Sequence, residues 1–317
     1  MKNKTLSLAI LIIFTITLYV GQITPFVLAQ EKTRGLKPIE YAQYLPKKYA
    51  DSRPKKKTAS KKQTKLPKYK YKVENNKDAL VFDGKEIGVT IWRLREAKKT
   101  DDTNIIEKTR IIKRVKGQTT EVVTNTIPER ISSDTELANG DIIRFAVEVP
   151  TEGYIYIISQ ELYINGKYSE PYLVFPSRRD IGKIDRVVSG KLLFIPNEVD
   201  YFEISSLKDA DVEISEEVFT IIVVQDRLTE LPPLENDEPR KLDLNEFQGW
   251  KEKWGGQVLR FEQETSANLA ITQVEKNATA NGNKVLSQTD LLPQTIYHVA
   301  NKDEKTLLFT TSVKIKK

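Results

Sequence analysis

Residues 139–175 constrain the fold more than any other stretch, because they join the densest strand pattern in the chain to its clearest turn. They read NGDIIRFAVEVPTEGYIYIISQELYINGKYSEPYLVF. Apolar side chains alternate with other residues at Ile143, Phe145, Val147 and Val149. This period of two is typical of a half-buried strand, and residues 154–164 resume the strand pattern after a break. Asn165-Gly166 then supplies the dipeptide that favours a tight hairpin.

Further strand patterns lie on both sides of this stretch. Residues 218–224 (VFTIIVV) are nearly continuous in apolar side chains and predict a central strand buried on both faces. Residues 110–115 and 119–126 predict a hairpin. Residues 296–299 and 306–315 predict a second hairpin near the C-terminal end. The sequence therefore predicts a mainly β, antiparallel, sandwich-like fold.

One segment near the C-terminal end has a helical pattern. Within residues 242–264, large apolar side chains recur every three or four residues, at Leu244, Phe247, Trp250, Trp254, Val258 and Phe261. Such a stripe predicts an amphipathic helix that packs on the sheet. Gly255-Gly256 predicts a kink or a division into two shorter helices. We expect one β-rich domain over residues 78–317, with this helical segment packed on it.

Residues 1–29 have the layout of a secretory signal peptide. Lysines precede an uncharged apolar run, and residues 27–29 (VLA) resemble a cleavage site. The alternative is a permanent membrane anchor, since the uncharged residues 5–30 are long enough to span a bilayer of ~30 Å. Both interpretations predict an exported protein, periplasmic or extracellular, which stays anchored in the membrane if residues 5–29 are not cleaved.

Residues 30–72 predict a disordered, lysine-rich linker, because they contain several prolines and little periodic apolarity. Residues 47–72 hold twelve Lys or Arg against one acid, a net charge of +11, and residues 1–46 add +3. Since the whole chain carries +6, residues 73–317 carry −8. The positive charge is therefore concentrated in one segment of an otherwise acidic chain.

This segment, residues 47–72, predicts contact with an anionic envelope polymer or a membrane surface. The expected contacts are Lys55, Lys56, Lys57, Lys61, Lys62, Lys68 and Lys70. The alternative is a solvated spacer, since charge blocks are most often polar tails. A protein partner is also compatible with the sequence, whereas export and the lack of a recognisable binding fold argue against nucleic acid.

Motifs that would carry chemistry are missing from the sequence. The chain has no cysteine, which excludes disulfides, thiolate metal sites and a cysteine nucleophile. His298 is the single histidine and no Gly-x-Ser-x-Gly turn accompanies it, so we expect a surface or sheet-face histidine. The acids of residues 209–220 fail the calcium-loop pattern, because Ile214 and Thr220 replace its glycine and glutamate. We therefore assign no catalytic residue, no cofactor and no metal.

One loop is a candidate recognition site. Residues 176–180 (PSRRD) follow a predicted strand and present Arg178 and Arg179, which could bind an anion. The alternative is a solvated turn.

A set of turn and packing motifs within residues 136–230 carries a family resemblance. The motifs are residues 139–141 (NGD), 144–145 (RF), 153–157 (GYIYI), 173–177 (LVFPS) and 190–196 (GKLLFIP). Together they resemble the bacterial domain-of-unknown-function family 4384, with a weaker likeness across residues 85–315. The resemblance implies an exported or envelope-associated bacterial protein with a β-rich domain, which some relatives attach to peptidase or kinase modules. It transfers no catalytic residue to this chain.

These observations predict an exported, non-enzymatic binding or accessory module of the bacterial cell envelope, tethered by a basic stalk. A second hypothesis is a hydrolase that acts on wall or surface polymer through two spatially paired carboxylates. A pocket with two facing carboxylates and shifted titration would favour that hydrolase. A third hypothesis is a membrane-anchored structural spacer.

Overall fold

The structure is a computed structural model of the 317-residue chain. It describes residues 38–55, 71–74, 84–115, 118–149, 152–178, 180–182, 185–196, 200–204, 213–235, 238–264, 268–279, 285–300, 302–303 and 305–316. The predicted signal peptide and residues 56–70 of the lysine-rich segment lie outside these described residues.

The described residues form three short helices and many strands. The helices are α1 (Pro38–Ser52), α2 (Leu244–Trp254) and α3 (Gln273–Asn277). The strands, in chain order, are β1 (Tyr71–Glu74), β2 (Lys85–Glu96), β3 (Glu107–Val115), β4 (Gln118–Ile131), β5 (Glu136–Leu137), β6 (Ile142–Glu148), β7 (Gly153–Tyr163), β8 (Tyr172–Phe175), β9 (Arg186–Val187), β10 (Leu193–Ile195), β11 (Phe202–Glu203), β12 (Ile214–Val224), β13 (Arg240–Lys241), β14 (Gln257–Gln263), β15 (Thr295–Ala300) and β16 (Thr306–Ile315).

The strands form two sheets. The first sheet has nine strands in the order β1-β14-β15-β2-β4-β3, with β6 paired to β2 and with β10 and β11 paired to β6. The second sheet has seven strands in the order β13-β8-β7-β12-β16-β5, with β9 paired to β7. The short pairing of β16 with β5 is parallel, whereas the long pairings of β12 with β7 and β16 are antiparallel.

The two sheets pack face to face around the main hydrophobic core. Phe145 of the first sheet meets Phe219 of the second edge to face, with ring centroids 4.7 Å apart. Tyr297 and Phe309 make a tilted contact between the sheets, also at 4.7 Å. All four side chains are buried, so this interface excludes water. The arrangement confirms the predicted mainly β, antiparallel, sandwich-like fold.

The strongest strand predictions are confirmed. β12 lies at the centre of the second sheet, between β7 and β16, and its residues 219–224 are all buried. β3 and β4 form the predicted hairpin. β6 and β7, both from residues 139–175, lie in different sheets, so this stretch contributes to both layers of the sandwich.

The turn after β7 differs from the one that the Asn165-Gly166 dipeptide predicts. The Gly166 N–H donates to the Tyr163 carbonyl at 2.9 Å, so Ile164 and Asn165 are the two central residues. Gly166 follows them with a φ of +79°. Only a residue without Cβ adopts that conformation at no steric cost, so the glycine is needed after the turn rather than inside it.

The predicted helix of residues 242–264 is confirmed as far as Trp254 and is wrong beyond it. Asp243 caps α2 by accepting from two N–H groups of its first turn. The buried side chains of α2 pack on the outer face of the second sheet: Phe247, Trp250 and Trp254. Gly255 ends the helix, and β14 follows at once between β1 and β15. Pairing with two strands overrides the helical spacing of the remaining apolar residues.

The predicted C-terminal hairpin is wrong. β15 lies in the first sheet between β14 and β2, whereas β16 lies in the second sheet between β12 and β5. The chain therefore crosses from one sheet to the other between Ala300 and Thr306. A short polar connection serves a hairpin or an arch between packed sheets equally well, so its length did not distinguish them.

The prediction of a disordered linker over residues 30–72 is wrong wherever the structure describes that segment. α1 lies against the first sheet, and β1 pairs with β14 at its edge. The side chains in this contact are Leu45, Tyr49, Ala50, Val73, Leu259, Phe261, Leu292 and Ile296. The prolines suggested a loop, but Pro38 occupies the first position of α1, where a missing N–H costs nothing. Burial of the apolar stripe then stabilises the helix despite Pro46.

Candidate functional site

The lysines predicted to contact an anionic surface fall mostly outside the described residues. Lys55 is described and exposed. The others are not described: Lys56, Lys57, Lys61, Lys62, Lys68 and Lys70. In the predicted recognition loop, Arg179 is likewise outside the described residues, and the Arg178 side chain is 71% exposed, 3.5 Å from Glu235. Arg178 therefore has the surroundings of a solvated turn.

Both flanks of the lysine-rich residues 56–70 are attached to the body. α1 precedes these residues and β1 follows them, and both elements pack on the first sheet. Several basic residues of the flanks form ion pairs with the body: Lys48 with Glu86, Arg53 with Glu148 and Lys72 with Asp134. The remaining positive charge is concentrated in residues 56–70, which hold seven lysines and no acid.

Arg53 and Glu148 form a buried ion pair beneath the end of α1. Arg53 Nε and Nη2 donate to the two carboxylate oxygens of Glu148, each at 2.7 Å. Arg53 Nη1 also donates to the Asp290 carbonyl and Nη2 to the Leu291 carbonyl, both at 3.1 Å. The two side chains are 2% and 4% exposed. This one guanidinium therefore joins α1, β6 and the segment before β15.

The single histidine lies in a second buried group beside α1. His298 on β15 is 0% exposed, and its Nδ1 lies 3.0 Å from Oε1 of Glu86, its cross-strand neighbour on β2. Lys48 of α1 pairs with the same carboxylate. Burial raises the pKa of Glu86, but the hydrogen bond from His298 and the charge of Lys48 outweigh it and hold the pKa at about 2. Because Glu86 is ionised at neutral pH, it accepts a hydrogen bond from Nδ1–H.

Arg130, Trp92 and Arg144 form a row across β4, β2 and β6 on the outer face of the first sheet. Trp92 is the cross-strand neighbour of both arginines, and all three residues are 0% exposed. Arg130 pairs with Glu275, and Arg144 Nη1 donates to Glu107 at 2.7 Å. The Arg130 guanidinium lies over the Trp92 ring, 5.2 Å from its centroid. Apolar side chains packed around this row include Leu192, Phe194, Ile271, Ala278 and Leu286.

Two glutamates are neighbours at one end of the second sheet. Glu217 of β12 lies opposite Glu161 of β7, and Ser159 Oγ donates to Glu217 at 2.5 Å. Burial raises the pKa of Glu217, the hydrogen bond from Ser159 lowers it, and the charge of Glu161 raises it, with a net upward shift. A carboxyl of raised pKa beside a second carboxylate is the pairing that acid–base chemistry on glycosides uses.

The sequence did not reveal these groups, because each joins residues that are far apart in the chain. Arg53 and Glu148 are separated by 95 positions, and Arg130 and Glu275 by 145. The alternation of apolar residues with Arg144 and Glu148 predicted a half-buried strand. That prediction is wrong, since every residue of β6 is buried. The only local sign that this face of β6 is buried was the presence of charged residues in an otherwise apolar strand.

Comparisons with known proteins return no relative: no protein-family model, no curated protein and no solved structure matches the chain. The resemblance to family 4384 therefore stays a prediction. No helix of the described part is long and apolar enough to cross a membrane. Within the same residues, no group of three His, Asp or Glu side chains is placed to hold a metal ion.

Proposed function

We propose that the protein is an exported, non-enzymatic binding module of the bacterial cell envelope. Its lysine-rich residues 56–70 contact an anionic surface, either an envelope polymer or a membrane. The observation that carries this proposal is the attachment of α1 and β1, the two flanks of that segment, to the first sheet.

The distribution of charge supports this function. Residues 56–70 carry seven lysines without an acid, whereas residues 73–317 carry a net charge of −8. Each lysine close to an anionic lipid surface contributes about 1 kcal/mol of binding free energy at low salt. Because both flanks belong to the body, contact through this segment holds the sandwich close to the surface and restricts its orientation. The segment acts as a docking loop rather than as a stalk.

Co-sedimentation tests the proposal. The full chain is incubated with vesicles containing an anionic phospholipid and with purified wall polymer, at low and at high salt. We expect binding that weakens strongly with salt and is lost when the seven lysines of residues 56–70 are changed to Gln. A charge-matched control changes seven exposed lysines elsewhere and retains binding: Lys98, Lys99, Lys108, Lys167, Lys302, Lys305 and Lys316. Equal binding by the two variants would refute the docking loop.

A second candidate function, a hydrolase acting on a surface polymer, is favoured by one observation. Glu217 combines a raised pKa with a neighbouring carboxylate, Glu161. A hydrolase of this kind would use Glu217 as the general acid, and its loss would slow the reaction at least about a hundredfold. The test is release of soluble fragments from wall polymer by the wild type, by Glu217→Gln and by Glu216→Gln, its neighbour on β12. No release by the wild type would eliminate this candidate.

A further inference from the structure

The row of Arg130, Trp92 and Arg144 contains three hydrogen-bond donors that have no acceptor among the described residues. They are Trp92 Nε1, Arg130 Nε and Arg144 Nη2, and all three atoms are buried. Trp92 lies between the two arginines in the pairing of β4, β2 and β6, so the three donors belong to adjacent side chains on one face of the sheet. Buried donors are rarely left unpaired, because each gives up its hydrogen bonds to water.

The other donor atoms of the two arginines are already used, which fixes both side chains. Arg130 Nη1 donates to the Leu292 carbonyl at 2.8 Å, and Nη2 pairs with Glu275. Arg144 Nε donates to the Asp200 carbonyl at 3.2 Å, and Nη1 pairs with Glu107. Rotating either guanidinium to satisfy the free donor would break one of these bonds. The free donors are therefore a stable feature of the row.

The kind of group that would satisfy these donors follows from their chemistry. The unpaired buried atoms of the row are one indole N–H and two guanidinium N–H groups, which can donate but not accept a hydrogen bond. A water molecule accepts hydrogen bonds but also carries two hydrogens that need acceptors of their own. The oxygens of a carboxylate are all acceptors and those of a phosphate are mostly acceptors, and both groups form short, strong hydrogen bonds with guanidinium groups.

We propose that Arg130, Trp92 and Arg144 form a buried binding site for a small oxyanion, a carboxylate or a phosphate. Its oxygens accept from Trp92 Nε1–H and from the free N–H groups of the two arginines. The apolar cover contributed by Phe194, Ile271 and Leu286 limits the site to a small group. The site lies outside the lysine-rich segment and is independent of the proposed docking loop.

Nuclear magnetic resonance of the indole N–H groups tests this site in the full chain. The protein has three tryptophans, and Trp250 and Trp254 lie on α2 against the other sheet, where they serve as internal controls. Inorganic phosphate, sulfate, acetate and chloride are titrated separately at constant ionic strength. We expect the Trp92 indole signal to shift saturably with an oxyanion while the other two stay in place. Comparison of the phosphate and acetate titrations identifies the class of oxyanion.

Substitutions test whether the Trp92 indole signal reports binding at Arg130, Trp92 and Arg144. Trp92→Phe identifies the Trp92 signal by its disappearance. Arg144→Lys keeps the positive charge next to Glu107 but removes the Nη2 donor. We therefore expect the affinity for the oxyanion to fall at least about tenfold. Arg186→Lys, at an exposed arginine on β9 in the second sheet, leaves the affinity unchanged. A Trp92 signal that stays in place in the wild type with every anion, or shifts together with the other two, would overturn the proposal.

Discussion

Arg53, which directly follows α1, joins parts of the fold that are far apart in the sequence. Its guanidinium contacts Glu148 on β6 through two hydrogen bonds and the carbonyls of Asp290 and Leu291 through two more. A buried charge that loses its partner is far more costly than an exposed one, because water cannot replace the lost hydrogen bonds. The Arg53–Glu148 pair therefore joins the end of α1 to the sheet, in addition to the apolar contacts of the helix.

Arg53→Ala should lower the free energy of unfolding by about 3 to 5 kcal/mol, because it leaves Glu148 buried without a counter-charge. Urea denaturation measures the change. The matched control is Arg178→Ala at an exposed Arg–Glu pair, where we expect a change below about 1 kcal/mol. Replacing both partners, Arg53→Met with Glu148→Leu, should recover part of the loss. Equal effects of Arg53→Ala and Arg178→Ala would show that the buried pair does not hold α1.

The lowered pKa of Glu86 predicts that part of the free energy of unfolding is lost at acidic pH. Its pKa is held at about 2, below the ordinary value of 4.5, so the folded state favours the ionised carboxylate. The resulting stability, on the order of 3 kcal/mol, is fully present above pH about 4.5 and is lost as the pH falls towards 2. Urea denaturation of the wild type and Glu86→Gln should therefore differ most above pH 4.5 and converge near pH 2. The exposed Glu252→Gln is the control, and a difference that does not change with pH would contradict this account.

At the scale of whole elements, the contact between α1 and β2 depends on Gly88. A Cβ at this position would lie 2.2 Å from Tyr49 Oη and 2.6 Å from Pro293 Cγ. The helix therefore approaches the sheet at a point where the strand has no side chain. Tyr49 itself is 2% exposed, so it has little freedom to move aside.

Gly88→Ala should destabilise the protein by about 1 to 3 kcal/mol, because the added methyl group overpacks this contact. Gly249→Ala in α2 is the matched control, since a Cβ there meets nothing within 4 Å. In a helix interior, alanine is favoured over glycine by about 1 kcal/mol, so this control should gain stability. Thermal unfolding compares the two variants. A gain of stability in both would show that α1 does not approach β2 as closely as the structure indicates.

Helices and strands could be predicted from the sequence where a single local pattern of residues determines the secondary structure. The apolar run of β12 and the tryptophan spacing of α2 identified their structures because burial of these side chains is the main local determinant. β14 was missed because its apolar residues continue the helical spacing of α2, and only pairing with β1 and β15 makes it a strand. The contacts of Arg53 with Glu148 and of His298 with Glu86 could not be predicted, since they depend on which strands become neighbours.

At the scale of the whole molecule, the N-terminal part of the described chain completes the first sheet. α1 covers part of the outer face of that sheet and β1 protects the edge of β14. The lysine-rich residues 56–70 therefore start and end on the body, which is the basis of the proposed docking loop.

Hydrogen exchange of the full chain, followed by mass spectrometry, tests this attachment most directly. If α1 and β1 belong to the body, peptides covering residues 45–50 and 71–74 should exchange slowly, as slowly as peptides from the neighbouring β14. Arg53→Ala should speed the exchange of residues 45–50 while β12, in the other sheet, stays protected. Exchange of residues 45–50 and 71–74 at the rate of an unstructured peptide in the wild type would contradict the account.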